Sequence, residues 1–170
     1  MEEGGVSQVF QAAVLWIIHE EGGLHDDPND PGALTNLGVA LAQHPEMTAD
    51  QIRHLTVGQA IDIYEAQYWA PVCGDYLPPY AAWVALDCAV NQGTGECRLL
   101  LQKAAQVPQD GKLGPQTIAA IRSADPEDFL AAFTAARDVR YSQSSRWQSY
   151  GDGWVKRATL AAIKATRWIT

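Results

Sequence analysis

The chain has 170 residues, 47% hydrophobic and 19% charged, a profile that supplies a buried core and excludes a disordered polymer. Twelve Lys and Arg against twenty Asp and Glu leave a formal charge of −8, which disfavours phosphate backbones and anionic membranes and makes nucleic acid an unexpected partner. Six Trp and six Tyr suit a carbohydrate, because sugars are gripped by aromatic faces and hydrogen bonds.

In chain order, Val9, Phe10, Ala13, Val14, Ile17 and Ile18 recur at helical spacing. They predict an amphipathic helix that ends near Glu21, where Gly22 and Gly23 supply a C-cap. The apolar run Ala12 to Ile18 is too short for a membrane span, and no basic region precedes it as a signal peptide would require. The expectation is synthesis in the cytoplasm, with a separate route to any target outside.

Between Leu24 and Gly38 come three Asp, two Pro, two Asn and Gly32, turn chemistry that predicts a small β-hairpin or irregular flap, the candidate wall of a cleft. Thr48 with Gln51, and Thr56 with Gln59, have the spacing of capping boxes and predict two helix starts. The second helix would carry Ala60, Ile61, Tyr64, Tyr68 and Trp69 until Pro71 and Gly74 stop it. Pro78 and Pro79 lead into an apolar helix near 80–91, followed by another near 96–106. Asp110, Gly111, Gly114 and Pro115 form a turn before a short helix. Asp125 as N-cap with Pro126 opens a helix over 126–145, and a last helix is predicted over 154–168.

No segment alternates with period two, so the predicted fold class is all-α, or α+β only through a small β-hairpin in the 24–40 loop. The predicted organisation is a two-lobed helical unit. Residues 1–95 form the lobe carrying Glu21 and the loop, and residues 96–170 form a second helical lobe packed on it. Cys73, Cys88 and Cys97 are odd in number and contain no CxxC pair, so they are read as reduced thiols.

Glu21 is in phase with Val14, Ile17 and Ile18 on the buried face of the first helix, whereas Glu20 is not. The negative helix end disfavours a charged carboxylate by only about 0.3–1 kcal/mol, so burial against apolar walls must be the larger effect if Glu21 is to hold a proton at neutral pH. The alternative is an ordinary surface glutamate at a helix end. Asp26, Asp27 and Asp30 follow in one loop, and a second carboxylate facing a glutamic acid is what glycoside hydrolysis requires. For Asp26 and Asp27 the stronger expectation is that they hold turns through side-chain hydrogen bonds.

Asp87 and Asn91 lie four apart on one helix face, where they could bind sugar hydroxyls or pair with each other. Trp69, Trp83, Trp147 and Trp154 are sugar-stacking candidates or core residues. His19-Glu20 with His25 is not HExxH, Pro28 breaks a calcium-loop reading, and Gly93-Thr94-Gly95 lacks a phosphate-loop tail. The expected reaction therefore uses no metal and no cofactor.

The runs Glu21-Gly22-Gly23-Leu24, Asp27-Pro28-Asn29-Asp30-Pro31-Gly32 and Thr35-Asn36-Leu37-Gly38-Val39 resemble the signature of glycoside hydrolase family 108, muramidases of phage and bacterial origin. Tyr68-Trp69, Leu77-Pro78 and Asp87-Cys88-Ala89-Val90-Asn91-Gln92-Gly93 are similar to the segments that follow in that family. Asp110-Gly111, Leu113-Gly114-Pro115, Thr117, Arg137, Tyr141, Gly153-Trp154 and Arg157 resemble the peptidoglycan-binding region usually fused behind it.

The resemblance implies an endolysin-like, lysozyme-type N-acetylmuramidase. It would cleave the β-1,4 bond between N-acetylmuramic acid and N-acetylglucosamine, with peptidoglycan glycan strands as partner and a monomer expected. By the same resemblance Glu21 is the general acid, Asp30 orients or activates the water and Thr35 helps to hold it. Asp87, Asn91 and Trp69 are the expected substrate contacts. The enzyme would reach the wall through a pore, a phage particle or a secretion system. The alternative function is a non-catalytic peptidoglycan-binding or structural component of a phage tail or secretion apparatus.

Overall fold

The computed structural model describes residues 8–27 and 30–169, with backbone alone for 27 and 30–33. Helix α1 (Gln8–Glu21) buries Val9, Phe10, Ala13, Val14, Ile17 and Ile18, the stripe expected from their spacing. It stops where Gly22 takes φ +83°, the left-handed conformation that glycine adopts without a side-chain clash.

Strands β1 (His25–Asp27), β2 (Asp30–Asn36) and β3 (Val39–Ala40) form an antiparallel sheet in that order. His25 pairs with Thr35, and Asn36 with Val39. Within the described residues, β structure is thus confined to the segment where turn chemistry predicted it. Leu34 and Asn36 are buried, and the Asn36 amide donates to the carbonyls of Ile52 (3.0 Å) and Arg53 (3.2 Å). Arg53 Nε donates to Asp26 Oδ2 at 2.7 Å. These bonds fasten the sheet to α2 (Ala49–Arg53).

Helices α2 and α3 (Val57–Tyr64) open on Thr48 and Thr56. Each hydroxyl accepts from the amide three residues on, while Gln51 and Gln59 reach back. The predicted continuation to Trp69 changes winding: a wider π-type turn spans Glu65–Trp69, and tight turns follow at Ala70–Val72 and Gly74–Tyr76.

Helix α4 (Pro79–Gln92) buries every residue from Tyr80 to Ala89. It is hydrophobic all round because neighbours cover it on all sides. It packs on α1 and also on α5 (Thr94–Ala104), α7 (Pro126–Ser142) and α8 (Trp147–Ala165), so it serves both expected lobes. Helix α6 (Pro115–Ser123) follows the Asp110 turn, and Asp125 caps α7 by accepting from the amides of Glu127 and Asp128.

Helix α8 begins seven residues before the expected start at 154 and contains Gly151 and Gly153. Gly151 is buried, and a Cβ there would lie 2.7 Å from the Trp147 ring. Packing therefore overrides the helix-weakening tendency of glycine. Among the described residues, no helix is long and apolar enough to cross a membrane.

Candidate active site

Glu21 is the last residue of α1, and its side chain is 30% exposed. The apolar enclosure expected around it is absent. Its Oε1 accepts from Arg157 Nη1 of α8 at 2.5 Å, and the Arg157 side chain is 18% exposed. Arg157 Nε donates to Asp87 Oδ1 of α4 at 2.9 Å. Asp87 is fully buried, and its Oδ2 lies 2.8 Å from Nη1 of the equally buried Arg137 of α7. Glu21 and Asp87 are thus bridged by one guanidinium, and Asp87 by two.

The charges of this chain of groups sum to zero, which is how two arginines and two carboxylates are accommodated at low exposure. Burial works against the charge of Arg157. Asp87 and then Glu21 outweigh it and hold the guanidinium above its ordinary pKa.

The turn between β2 and β3 supplies the second wall. Leu37 (φ +52°) and Gly38 (φ +79°) both occupy the left-handed region that a two-residue hairpin requires. Leucine is strained there by about 1–2 kcal/mol, and the Tyr64 hydroxyl, donating to the Leu37 carbonyl at 3.3 Å, helps to hold it. A Cβ on Gly38 would meet the Tyr64 hydroxyl and lie 3.0 Å from Glu21 Cγ. The absence of a side chain at Gly38 therefore lets the hairpin lean against Glu21. Burial, and next the negative charge of Glu21, push the Tyr64 hydroxyl well above its ordinary pKa, and the same two causes raise Tyr68.

Thr35 is half-buried in β2, opposite His25 and Ala40. Its neighbours Leu34 and Asn36 face the core, so strand alternation puts Thr35 on the other face. Asp30 begins β2 and pairs with Asp27; its side chain lies outside the described residues.

The expected sugar contacts on α4 are placed otherwise. Asp87 has no exposed surface, and both of its oxygens face arginines. Asn91 is exposed, but its amide nitrogen donates to the Asp87 carbonyl (2.7 Å) and to Asp87 Oδ1 (3.2 Å), the mutual pairing that the sequence left open. Trp69 is 1% exposed, packs on Phe10 and donates from Nε1 to Asp75 at 2.8 Å. A sugar ring does not reach it, and it serves the core.

Arg157 and Arg137 appeared in the sequence as family motifs without a role. Their contacts with α1 and α4 depend on tertiary packing, and the only sequence signal was two arginines among few cations. Among the described residues, no group of three or more His, Cys, Asp and Glu gathers where it could hold a metal ion.

Residues 14–93 match the family described as glycosyl hydrolase 108, and residues 97–159 match the one described as "Predicted Peptidoglycan domain". The solved structure of Brucella abortus SagA is similar at 31% identity, with a TM-score of 0.82, covering 94% of this chain and 94% of that one.

The chain belongs to the glycosyl hydrolase 108 family.

A search of curated proteins gives no match. As a glycosyl hydrolase 108 member with a peptidoglycan region, this protein is a glycoside hydrolase whose substrate is peptidoglycan. Glu21 and the hairpin lie in the first matched segment, and Arg157 in the second, so the Glu21–Arg157 bond joins the two.

Proposed function

We propose that the protein is an N-acetylmuramidase that cleaves the β-1,4 bond between N-acetylmuramic acid and N-acetylglucosamine, with Glu21 as general acid. The observation that carries this reading is the Glu21 carboxyl itself. It is partly open to solvent at a helix end, leaned upon by the Leu37–Gly38 turn and fixed by Arg157. A glycan strand entering this mouth displaces the water around Glu21.

Arg157 holds Glu21 Oε1 through Nη1 and Asp87 through Nε, which fixes the Glu21 carboxyl and leaves its other oxygen to carry a proton. Protonated from solvent, that oxygen gives the proton to the glycosidic oxygen as positive charge develops on the muramic ring. Asp30 and Thr35, both on β2, would place the attacking water. Attack from the face opposite the acid requires a carboxylate across the sugar from Glu21, and Asp30 is the loop residue assigned to that position by family resemblance.

The endolysin-like task places the target outside the membrane, reached through a pore, a phage particle or a secretion system. Mass spectrometry of muropeptides released from purified walls tests the bond, since muramidase action leaves muramic acid at the new reducing end. The Glu21→Gln variant should stay folded and lose activity by about a hundredfold to ten-thousandfold. Reducing ends on N-acetylglucosamine, or retained activity in that variant, would overturn the assignment.

A further inference from the structure

Trp16 of α1, Trp83 of α4 and Trp168 of the final turn (Thr166–Trp168) form a run of stacked indoles. Ring centroids are 5.7 Å apart for the first pair and 6.2 Å for the second. Two cations of α8 lie over the Trp16 ring, Arg157 at 5.8 Å and Lys164 at 5.6 Å.

Beside this stack lies a cavity of about 240 Å³ lined by Ala12, Trp83, Lys164, Arg167 and Trp168. Among the described residues, the lining offers two cations and no carboxylate. Glu20 is the acid that contacts the stack, accepting from Trp16 Nε1 at 3.1 Å. Trp83 is 5% exposed and forms an apolar wall of the cavity. Two cations around one small space suit an anionic ligand.

We propose that this cavity is a subsite for a carboxylate of the peptidoglycan stem peptide, an inference that rests on the reading of the chain as a peptidoglycan hydrolase. The N-acetylated sugar rings of the polymer are neutral, and its carboxylates are carried by the peptides. Lys164 follows Arg157 by seven residues, two turns and about 10 Å along the same helix face. A carboxylate held there belongs to a strand whose glycosidic bond lies at Glu21. The chain as a whole has a charge of −8 and repels an acidic polymer, so a local cation pair is what makes a peptide-bearing strand acceptable there.

The test compares wild type with the Lys164→Gln/Arg167→Gln double variant on peptide-bearing peptidoglycan and on the same peptidoglycan with its peptide carboxyls converted to amides by carbodiimide and ammonia. The expected result is a KM about fivefold higher on the untreated substrate, with kcat and activity on the amidated substrate unchanged. Lys164→Arg alone should retain the wild-type KM. By calorimetry, wild type should bind a disaccharide-tripeptide at least fivefold more tightly than its carboxyl-amidated form.

Equal losses on both substrates, no loss on either, or equal binding of the amidated ligand would overturn the subsite. So would stronger competition by a phosphate-bearing wall polymer than by the tripeptide. Failure of wild type to cleave either substrate would refute the hydrolase reading instead, and the calorimetric comparison would still decide the subsite.

Discussion

Arg157 lies 136 residues beyond Glu21 in the chain and meets its carboxyl at 2.5 Å, while its Nε holds the buried Asp87 at 2.9 Å. One planar guanidinium thus registers the end of α1 against the centre of the molecule. Arg157→Lys keeps the charge but offers a single ammonium that cannot span both carboxylates. Glu21 then loses its fixed orientation, and small misplacements of a catalytic group cost on the order of a hundredfold in rate. The expected outcome is a kcat on purified walls lowered by about tenfold to a hundredfold, with KM nearly unchanged. An unaltered kcat would show that Arg157 does not position the acid.

Asp87→Ala removes the shared anion and leaves Arg137, 1% exposed, without its counter-charge. Breaking a buried pair from one side costs about 3–5 kcal/mol. Urea denaturation should show a loss of that size. An exposed sugar contact would instead change stability by only about 0.5 kcal/mol.

The contrast between these two residues and the helix starts shows what the sequence makes legible. The Thr48–Gln51 and Thr56–Gln59 boxes, the Asp125 cap and the stop at Gly22 depend on neighbours within a few positions, so they were readable directly. The burial stripe of α1 was readable for the same reason, whereas the exposure of Glu21 at the end of that stripe was not. Local spacing could show that Asp87 and Asn91 share a face. It could not show that Asp87 turns inward to arginines from two later helices while Asn91 stays exposed. Trp69 misled because a winding change at Glu65–Trp69 rotates it into the core. The early start of α8 was hidden by two glycines whose packing reason, the Trp147 ring, appears only in three dimensions.

Gly38→Ala should combine strain with displacement. Its φ of +79° disfavours a side chain, and the added Cβ would lie 3.0 Å from Glu21 Cγ and against the Tyr64 hydroxyl. The expected effects are a stability loss of about 1–2 kcal/mol and a clear fall in kcat. Gly93→Ala is the control, since φ is +86° there but nothing among the described residues lies within 4 Å of the new atom. It should lose comparable stability and keep its kcat.

Asp138 on α7 is half-buried, and its Oδ1 has no hydrogen-bond partner among the described residues. Burial raises its pKa above the ordinary 3.8, with the charge of Arg137 opposing the shift in part. A carboxyl whose folded pKa is raised is bound to its proton more tightly in the folded state. Its contribution to stability is therefore fully present below the unfolded value and is lost as pH rises through the folded one. Asp138→Asn should raise the melting temperature at pH 7 and make little difference below about pH 3. Melting curves across that range check the sign, and a gain that persists in acid would refute it.

The bond from Arg157 to Glu21 also bears on ancestry and engineering. Where the proposed acid and the arginine bonded to it come from opposite ends of the chain, the rear segment is not expected to exchange by recombination as a free-standing accessory. A donor sequence grafted behind residue 93 must bring a guanidinium to the same place, or the hybrid inherits a hydrolase whose acid has come loose.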